Sequence, residues 1–125
     1  QRLVRKICEM CKTGYTIPQE ELVKHFSIEV IIKNLGNLKD YTIYKGKGCK
    51  ICHFTGYETR VGVFEILEVS NEIRKLITSK CDSDVIARQA VAEGMKTMLD
   101  DGLAKVKNGV TTIEEVLRVT KAETV

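Results

Sequence analysis

Hydrophobic residues along the chain follow two different spacings, and the change falls near residue 70. Before that point, β-branched and aromatic residues form short runs, which predict strands over residues 2–7, 41–44 and 60–69. The last run is the strongest, because only Gly62 interrupts it. From Ser70 onward, apolar residues recur every three or four positions, which is typical of amphipathic helices.

Four short helices are predicted in this second part, each introduced by a capping residue. The expected caps are Ser70 or Asn71, Asp82 or Ser83, Thr97, and Thr112. An acid follows each of the two threonines three residues later, which is the spacing of a capping box. We expect the helices to form a small bundle, and the tail over residues 121–125 to fray because it has nothing to bury.

The stretch between the first two predicted strands contains further helix signals. Pro18 fits the first position of a helix whose first turn contains Glu20 and Glu21. The Ile-rich run after Ser27 is either a second helix, which Gly36 would end, or a strand, because its spacing fits both.

Four of the five cysteines form two C-x2-C pairs, Cys8 with Cys11 and Cys49 with Cys52. A C-x2-C turn places its second sulfur beside the first, so two such turns can direct four thiolates at one ion. This is the ligand set of a structural Zn²⁺ site. The spacing therefore predicts a closed zinc site made of these four residues, with no coordination position open for catalysis.

Other interpretations of the cysteines remain open. Disulfides are typical of secreted proteins, and the sequence shows no sign of secretion, because no apolar leader precedes Cys8. Two disulfides among the paired cysteines would also leave Cys81 without a partner, and we expect Cys81 to be a small core residue. The four cysteines could also be inert buried thiols, but burial alone does not require the C-x2-C spacing that both pairs have. A rubredoxin-like iron site uses the same four sulfurs. We rank it below zinc because the run between the pairs is long and no aromatic-rich shell surrounds it.

Charge and composition narrow the functional classes. The 125 residues carry a net charge of +3, which falls to about +1 once four thiolates hold Zn²⁺. A nucleic-acid-binding surface needs a clustered excess of basic residues, so we expect no nucleic-acid partner. No apolar run of membrane-spanning length is present, and a reducing cytoplasm is the expected compartment. The chain starts mid-pattern and without Met, as a piece cut from a longer protein would.

These patterns together predict an α+β fold in two parts. Residues 1–69 would form an antiparallel strand pair, from 2–7 and 60–69, with the tetracysteine zinc module at its open end. The metal would join the two ends of the long excursion over residues 13–47. Zinc binding would also supply the free energy that keeps this excursion folded. Residues 70–125 would form a small helical domain.

Catalytic motifs are missing from the sequence. It contains neither G-x-x-x-x-G-K-[ST] nor G-x-G-x-x-G, the loops that bind nucleotide phosphates. His25 and His53 are expected to be surface residues. The residues alone therefore predict a zinc-stapled structural or interaction module that is not an enzyme by itself.

Several motifs occur in an order that is more specific than any one of them. They are Gln1–Arg5 before Cys8, Gly48 before Cys49, Thr55-Gly56-Tyr57, Arg60–Leu67, Glu93-Gly94-Met95, Asp101-Gly102-Leu103 and Gly109–Thr112. With this set, the chain resembles the C-terminal part of the type II secretion and type IV pilus assembly ATPases. The resemblance covers essentially the whole chain and is weakest over residues 16–44.

The resemblance implies a fragment of a hexameric cytoplasmic motor, peripheral to the inner membrane, that uses ATP to drive pseudopilus or pilus assembly and protein export. In that family the four cysteines hold zinc and the strands beside them lie at the edge of a RecA-like sheet. ATP and Mg²⁺ would be ligands of the full-length parent only. The implied partners are an inner-membrane platform protein or a cytoplasmic linker protein. The alternatives are a stand-alone zinc-ribbon binding module and a rubredoxin-like iron redox protein.

Three arginines stand on the predicted strands. Arg2, Arg5 and Arg60 are expected to pair with Glu65 or Glu68 across adjacent strands. The resemblance leaves open that they face a neighbouring subunit or a nucleotide.

Overall fold

The computed structural model describes residues 1–120, so the predicted fraying of residues 121–125 lies outside the described part. These residues form an α+β fold with two antiparallel strand pairs and six helices. The elements are β1 (Arg2–Ile7), β2 (Lys12–Pro18), α1 (Gln19–Leu22), α2 (Ile28–Leu35), β3 (Asp40–Gly46), β4 (Tyr57–Val63), α3 (Asn71–Thr78), α4 (Ser83–Ala92), α5 (Met98–Lys107) and α6 (Ile113–Thr120). Within residues 1–120, no helix is both long enough and apolar enough to cross a membrane.

Strands β1 and β4 pair antiparallel, which confirms the predicted strand pair, with Val4 opposite Val61. The predicted extent of the second strand was wrong, because β4 ends at Val63. The chain then turns so that the Phe64 ring covers Gly62, where an added Cβ would lie 2.6 Å from the ring. The Phe64 amide donates to Asp101 Oδ2 at 2.9 Å. These contacts tie the chain to the start of α5 instead of continuing the strand.

A second strand pair lies inside the predicted excursion over residues 13–47. The predicted strand over residues 41–44 is confirmed as part of β3, whereas β2 was not predicted. Strand β2 pairs with β3 in continuous antiparallel register, with Tyr15 opposite Ile43. Two lysine ammonium groups lie over rings of this pair, Lys12 at 5.4 Å from the Tyr44 ring centre and Lys45 at 5.0 Å from that of Tyr15. Such cation–π contacts add to the cross-strand stabilisation.

The helices between these strands follow the capping signals in part. Pro18 is the N-cap of the single-turn helix α1 rather than its first helical residue. The run after Ser27 is a helix and not a strand, because Ser27 Oγ accepts the Val30 amide at 3.3 Å. Gly36 ends it with a φ of 87°, a conformation that glycine adopts without steric cost.

The C-terminal helices begin as predicted but do not form one bundle of four. Ser70 caps α3, and Thr97 and Asp100 form a complete capping box at the start of α5. Helix α3 packs against α4, whereas α5 packs against both α2 and α6. At the start of α6, Thr112 Oγ1 accepts the Glu115 amide at 3.2 Å, but the Glu115 carboxylate points elsewhere.

The main hydrophobic core spans residues from both halves of the chain. It joins buried residues of α1, α2 and β3 to those of α5 and α6, namely Leu22, Phe26, Ile31, Leu35, Tyr41, Ile43, Leu103, Val106, Ile113 and Val116. A smaller cluster packs Val4 and Val63 of the β1–β4 pair against Met98 and Val119. The division of the chain at residue 69 stays a prediction, and this packing crosses it.

Candidate metal centre

The two cysteine pairs occupy the two turns that connect one strand pair to the other. Cys8 and Cys11 lie between β1 and β2, and Cys49 and Cys52 lie between β3 and β4. Because each strand pair is antiparallel, both turns meet at the same end of the fold. The topology therefore brings residues 41 positions apart into one cluster.

The sulfur atoms have the spacing of a tetrahedral metal site. The Sγ–Sγ distances are 3.8 Å for Cys8–Cys49, 3.8 Å for Cys11–Cys52 and 3.7 Å for Cys49–Cys52. All four sulfurs lie within 4.8 Å of one another. Four sulfurs placed 2.3 Å from one ion at tetrahedral angles would be separated by about 3.8 Å. The cluster fits a metal ion, and the five cysteines of the chain are all free thiols in this structure.

Backbone amides point at two of the sulfurs. Gly48 donates to Cys11 Sγ, and Cys49 and Gly56 both donate to Cys52 Sγ, each at 3.3 Å. Amide donors of this kind stabilise thiolates. The glycines are needed for close approach as well, since a Cβ at Gly46 would lie 2.2 Å from the Gly56 carbonyl oxygen.

These contacts set different proton affinities within the cluster. Burial acts to raise the pKa of Cys52, but the Cys49 and Gly56 amides outweigh it and lower that pKa to about 6. Burial raises the pKa of Cys11 to about 11 and also raises that of Cys8. The amide donors therefore favour the thiolate form of Cys52, whereas burial disfavours it at Cys8 and Cys11. A bound cation would offset this effect of burial, because it favours the thiolate form of every ligand.

All four cysteines predicted from the spacing are in the cluster, and the other candidates are not. His25 and His53 are exposed and lie outside it. Cys81 is half-buried between α3 and α4, where its Sγ donates to the Leu76 carbonyl oxygen at 3.1 Å. Four cysteine sulfurs fill a tetrahedral site, so an ion bound by them would have no coordination position left for a substrate.

One partly buried ionic contact was not predicted from the sequence. Arg5 pairs with Glu115 on α6, and not with Glu65 or Glu68 as predicted. The Glu65 carboxylate instead accepts the Met98 amide at 3.0 Å. No ion pair joins Arg2 or Arg60 to either predicted acid in the part of the chain that the structure describes. One available signal was the i,i+3 spacing of Glu115 and Arg118 on α6.

The sequence of the chain is similar to those of known secretion and pilus assembly proteins. Residues 1–118 match the model of the family described as type II/IV secretion system protein. The chain is 38% identical over 117 residues to the type IV pilus assembly ATPase PilB of Thermus thermophilus, which covers 94% of the chain and 12% of that relative. It is 35% identical over 123 residues to the type II secretion system protein E of Pseudomonas aeruginosa, covering 98% of the chain and 23% of the relative. It is also 35% identical over 121 residues to the type II secretion system ATPase E of Vibrio cholerae, covering 97% and 22%.

The chain thus spans less than a quarter of the length of each of these relatives. The family match includes both cysteine pairs, all six helices except the end of α6, and both strand pairs. Because it runs through nearly the whole chain, from residue 1 to residue 118, the chain belongs to the type II/IV secretion system protein family.

Proposed function

We propose that the chain is the zinc-binding C-terminal part of a longer motor ATPase, which assembles as a homohexamer and powers pseudopilus or pilus assembly and protein export. Two observations support membership in a longer ATPase: the family match, and the fact that relatives named as ATPases are more than four times as long as the matching segment. In this proposal, ATP and Mg²⁺ bind in the rest of the longer protein. Residues 1–125 supply no catalytic group.

In that motor, the role of the segment is to hold structural elements together rather than to catalyse a reaction. The distances between the four sulfurs are the observation that supports this role. A Zn²⁺ ion held by Cys8, Cys11, Cys49 and Cys52 fastens both turns between the strand pairs, so that β1 and β4 cannot separate from β2 and β3 at that end. Zinc binding contributes on the order of 10 kcal/mol to folding in small zinc peptides. A contribution of that size would be enough to keep the two cysteine turns together.

We place the motor in the cytoplasm, peripheral to the inner membrane, with a membrane platform protein or a cytoplasmic linker protein as its partner. Nucleic acid is not a partner in this proposal, because the net charge of +3 becomes about +1 with zinc bound. A gel shift at low salt is expected to show no retention of DNA or RNA. Retention that weakens steeply with salt would instead favour a nucleic-acid-binding zinc module.

Serine substitutions in the full-length parent protein test whether a zinc ion held by the four cysteines is needed for assembly. Replacing Cys8→Ser or Cys49→Ser is expected to abolish pilus assembly or export while nucleotide binding by the rest of the protein persists. Cys81→Ser is the matched control, because this cysteine lies outside the cluster. Normal assembly by both staple variants, or equal loss with the control, would contradict the proposal.

A further inference from the structure

The four sulfurs of the cysteine cluster differ in the backbone amides that donate to them. Cys52 Sγ accepts the amides of Cys49 and Gly56, and Cys11 Sγ accepts that of Gly48. Within the part of the chain that the structure describes, Cys49 Sγ contacts other sulfurs but receives no backbone amide. A donated hydrogen bond stabilises a thiolate and thereby lowers its nucleophilicity. As thiolates, Cys11 and Cys52 are therefore less reactive than Cys49.

Access from solvent separates the four sulfurs further. Cys8 and Cys52 are buried, with 0% and 4% of their surface exposed, whereas Cys11 and Cys49 are half-buried. A reagent must reach a sulfur in order to react with it, which favours the two half-buried cysteines. Of these two, Cys11 has an amide donor and Cys49 has none. Cys49 thus combines access with the thiolate that is stabilised least.

The second cysteine turn also carries positive charge that no acid of the turn offsets. Lys47 and Lys50 stand on either side of its first cysteine and are exposed, and neither forms an ion pair within residues 1–120. In the first turn, by contrast, Glu9 lies 3.9 Å from Lys6 Nζ and 3.8 Å from Lys12 Nζ. Reactive cysteines are typically found in electropositive, partly exposed surroundings. Only the second turn offers such surroundings.

A second sulfur is held next to Cys49 by the same turn. Cys52 Sγ lies 3.7 Å from Cys49 Sγ, and the Cys49 amide donates to Cys52 Sγ at 3.3 Å. Cys8 Sγ is nearly as close, at 3.8 Å, but it belongs to the other turn. The spacing within one turn is fixed by its own backbone, whereas the contact between sulfurs of different turns depends on the ion that they share. Cys52 is therefore the partner that stays beside Cys49.

We propose that Cys49 is the site at which hydrogen peroxide oxidises the zinc-bound cluster, and that the product is a disulfide between Cys49 and Cys52. The Cys49 thiolate attacks a peroxide oxygen, so that an S–O bond forms, the O–O bond breaks and hydroxide leaves. The Cys52 thiolate then attacks Cys49 Sγ, so that an S–S bond forms, the S–O bond breaks and a second hydroxide leaves. The two sulfurs lose two electrons in total, and the peroxide gains them.

Oxidation at this site removes two of the four metal ligands. Cys8 and Cys11 alone do not complete a tetrahedral site, so the metal is released and no longer joins the two turns. The inference rests on the zinc site proposed above and adds a peroxide-sensitive position to it. The reaction order follows from hydrogen bonds within the two turns themselves.

Mapping of the oxidised sulfurs in the zinc-loaded chain tests the inference. Cys81→Ser is used as the starting chain, because it leaves the four cluster cysteines as the only thiols. Limiting peroxide is added with a dione that traps sulfenic acids, and mass spectrometry locates the products. We expect the dione on Cys49 in at least about threefold excess over Cys11, which is the usual loss of nucleophilicity for a tenfold loss of proton affinity. Without the dione, one Cys49–Cys52 disulfide should form for each zinc ion that a chelating dye detects.

Lysine substitutions test the contribution of charge. Lys47→Gln and Lys50→Gln together are expected to slow the oxidation of Cys49 about twofold, the size of effect that a nearby exposed charge has in water. Lys39→Gln is the matched control, because Lys39 is exposed and lies outside both turns. The same order of modification is expected in the full-length parent protein, since the amide donors belong to the turns.

Four results would overturn the inference: equal labelling of Cys11 and Cys49, a first disulfide that joins the two turns, zinc that is retained at a large excess of peroxide, or protection of Cys49 in the parent protein. Equal rates for the paired lysine variant and its control would overturn the role of charge. Zinc content is measured before peroxide is added. A chain purified without zinc would contradict the zinc site and the inference together, whereas the other results count against the inference alone.

Discussion

Arg5 and Glu115, which lie 110 positions apart, are joined by three hydrogen bonds. The Arg5 amide donates to Glu115 Oε2 at 2.7 Å, and the guanidinium donates to Oε1 at 3.1 and 3.0 Å. Arg118 binds the same carboxylate at 2.8 Å and also donates to the Leu3 carbonyl oxygen. The Arg5 guanidinium lies 4.0 Å from the centre of the Tyr57 ring. Helix α6 thereby covers the outer edge of β1 next to the metal centre, which protects that edge from pairing with other chains.

Removal of this carboxylate tests the contact. Glu115→Gln is expected to lower the free energy of unfolding by about 1–3 kcal/mol, because hydrogen bonds to a charged group are lost at a buried position while both arginines can still reach water. Chemical denaturation at pH 7 measures the change. Glu114→Gln is the control, since Glu114 is exposed on the same helix turn. Equal stability of the two variants would contradict the assigned role.

The same carboxylate predicts a pH dependence of stability. Burial acts to raise the pKa of Glu115, but the hydrogen bonds from Arg118 and Arg5 outweigh it and lower that pKa from 4.5 to about 2. A depressed folded-state pKa contributes stability that is fully present above pH 4.5 and is lost as the pH falls toward 2. The stability difference between the unaltered chain and Glu115→Gln should therefore shrink over this interval. A difference that stays constant from pH 7 to pH 2 would show that the charge does not matter.

The contact between Phe64 and Gly62 predicts a coupled pair of substitutions. An added Cβ at Gly62 would meet the tip of the Phe64 ring at 2.6 Å, so the ring must move away. Because this ring is half-exposed, the cost should lie near the lower end of the range of about 1–3 kcal/mol that is typical of overpacking in cores. Gly62→Ala alone is expected to destabilise the chain, and much less so when Phe64→Ala is also present. A double-mutant cycle of unfolding free energies measures the coupling. Additive effects would mean that the ring does not rest on Gly62.

The parts of this protein that depend on neighbouring residues could be predicted from the sequence. Two C-x2-C turns identified Cys8, Cys11, Cys49 and Cys52, because the spacing within each pair already places two sulfurs together. The capping box of Thr97 is likewise local and was recognised by the spacing of its acid. Such features need no knowledge of the rest of the chain.

Features that depend on distant residues could not be predicted. Strand β2 was missed because its side chains alternate only between half-buried and exposed, which gives little contrast between its two faces. The extent of β4 was overestimated because two hydrogen bonds redirect a segment of high β-propensity. The Phe64 amide donates to Asp101, and the Met98 amide donates to Glu65. Arg5 pairs with Glu115 because α6 packs against β1. The charge of Arg5 alone could not identify this partner among the 17 acidic residues of the chain.

Metal analysis of the purified chain, with thiols counted before and after chelation, tests the central claim most directly. The account predicts one zinc ion per chain, a colourless protein, and four thiols that become reactive together when the metal is removed, while Cys81 reacts independently. A red protein that contains iron would assign the same sulfurs to a redox site. A folded chain that contains no metal and whose thiols all react independently would contradict the claim that a zinc ion holds the two cysteine turns together.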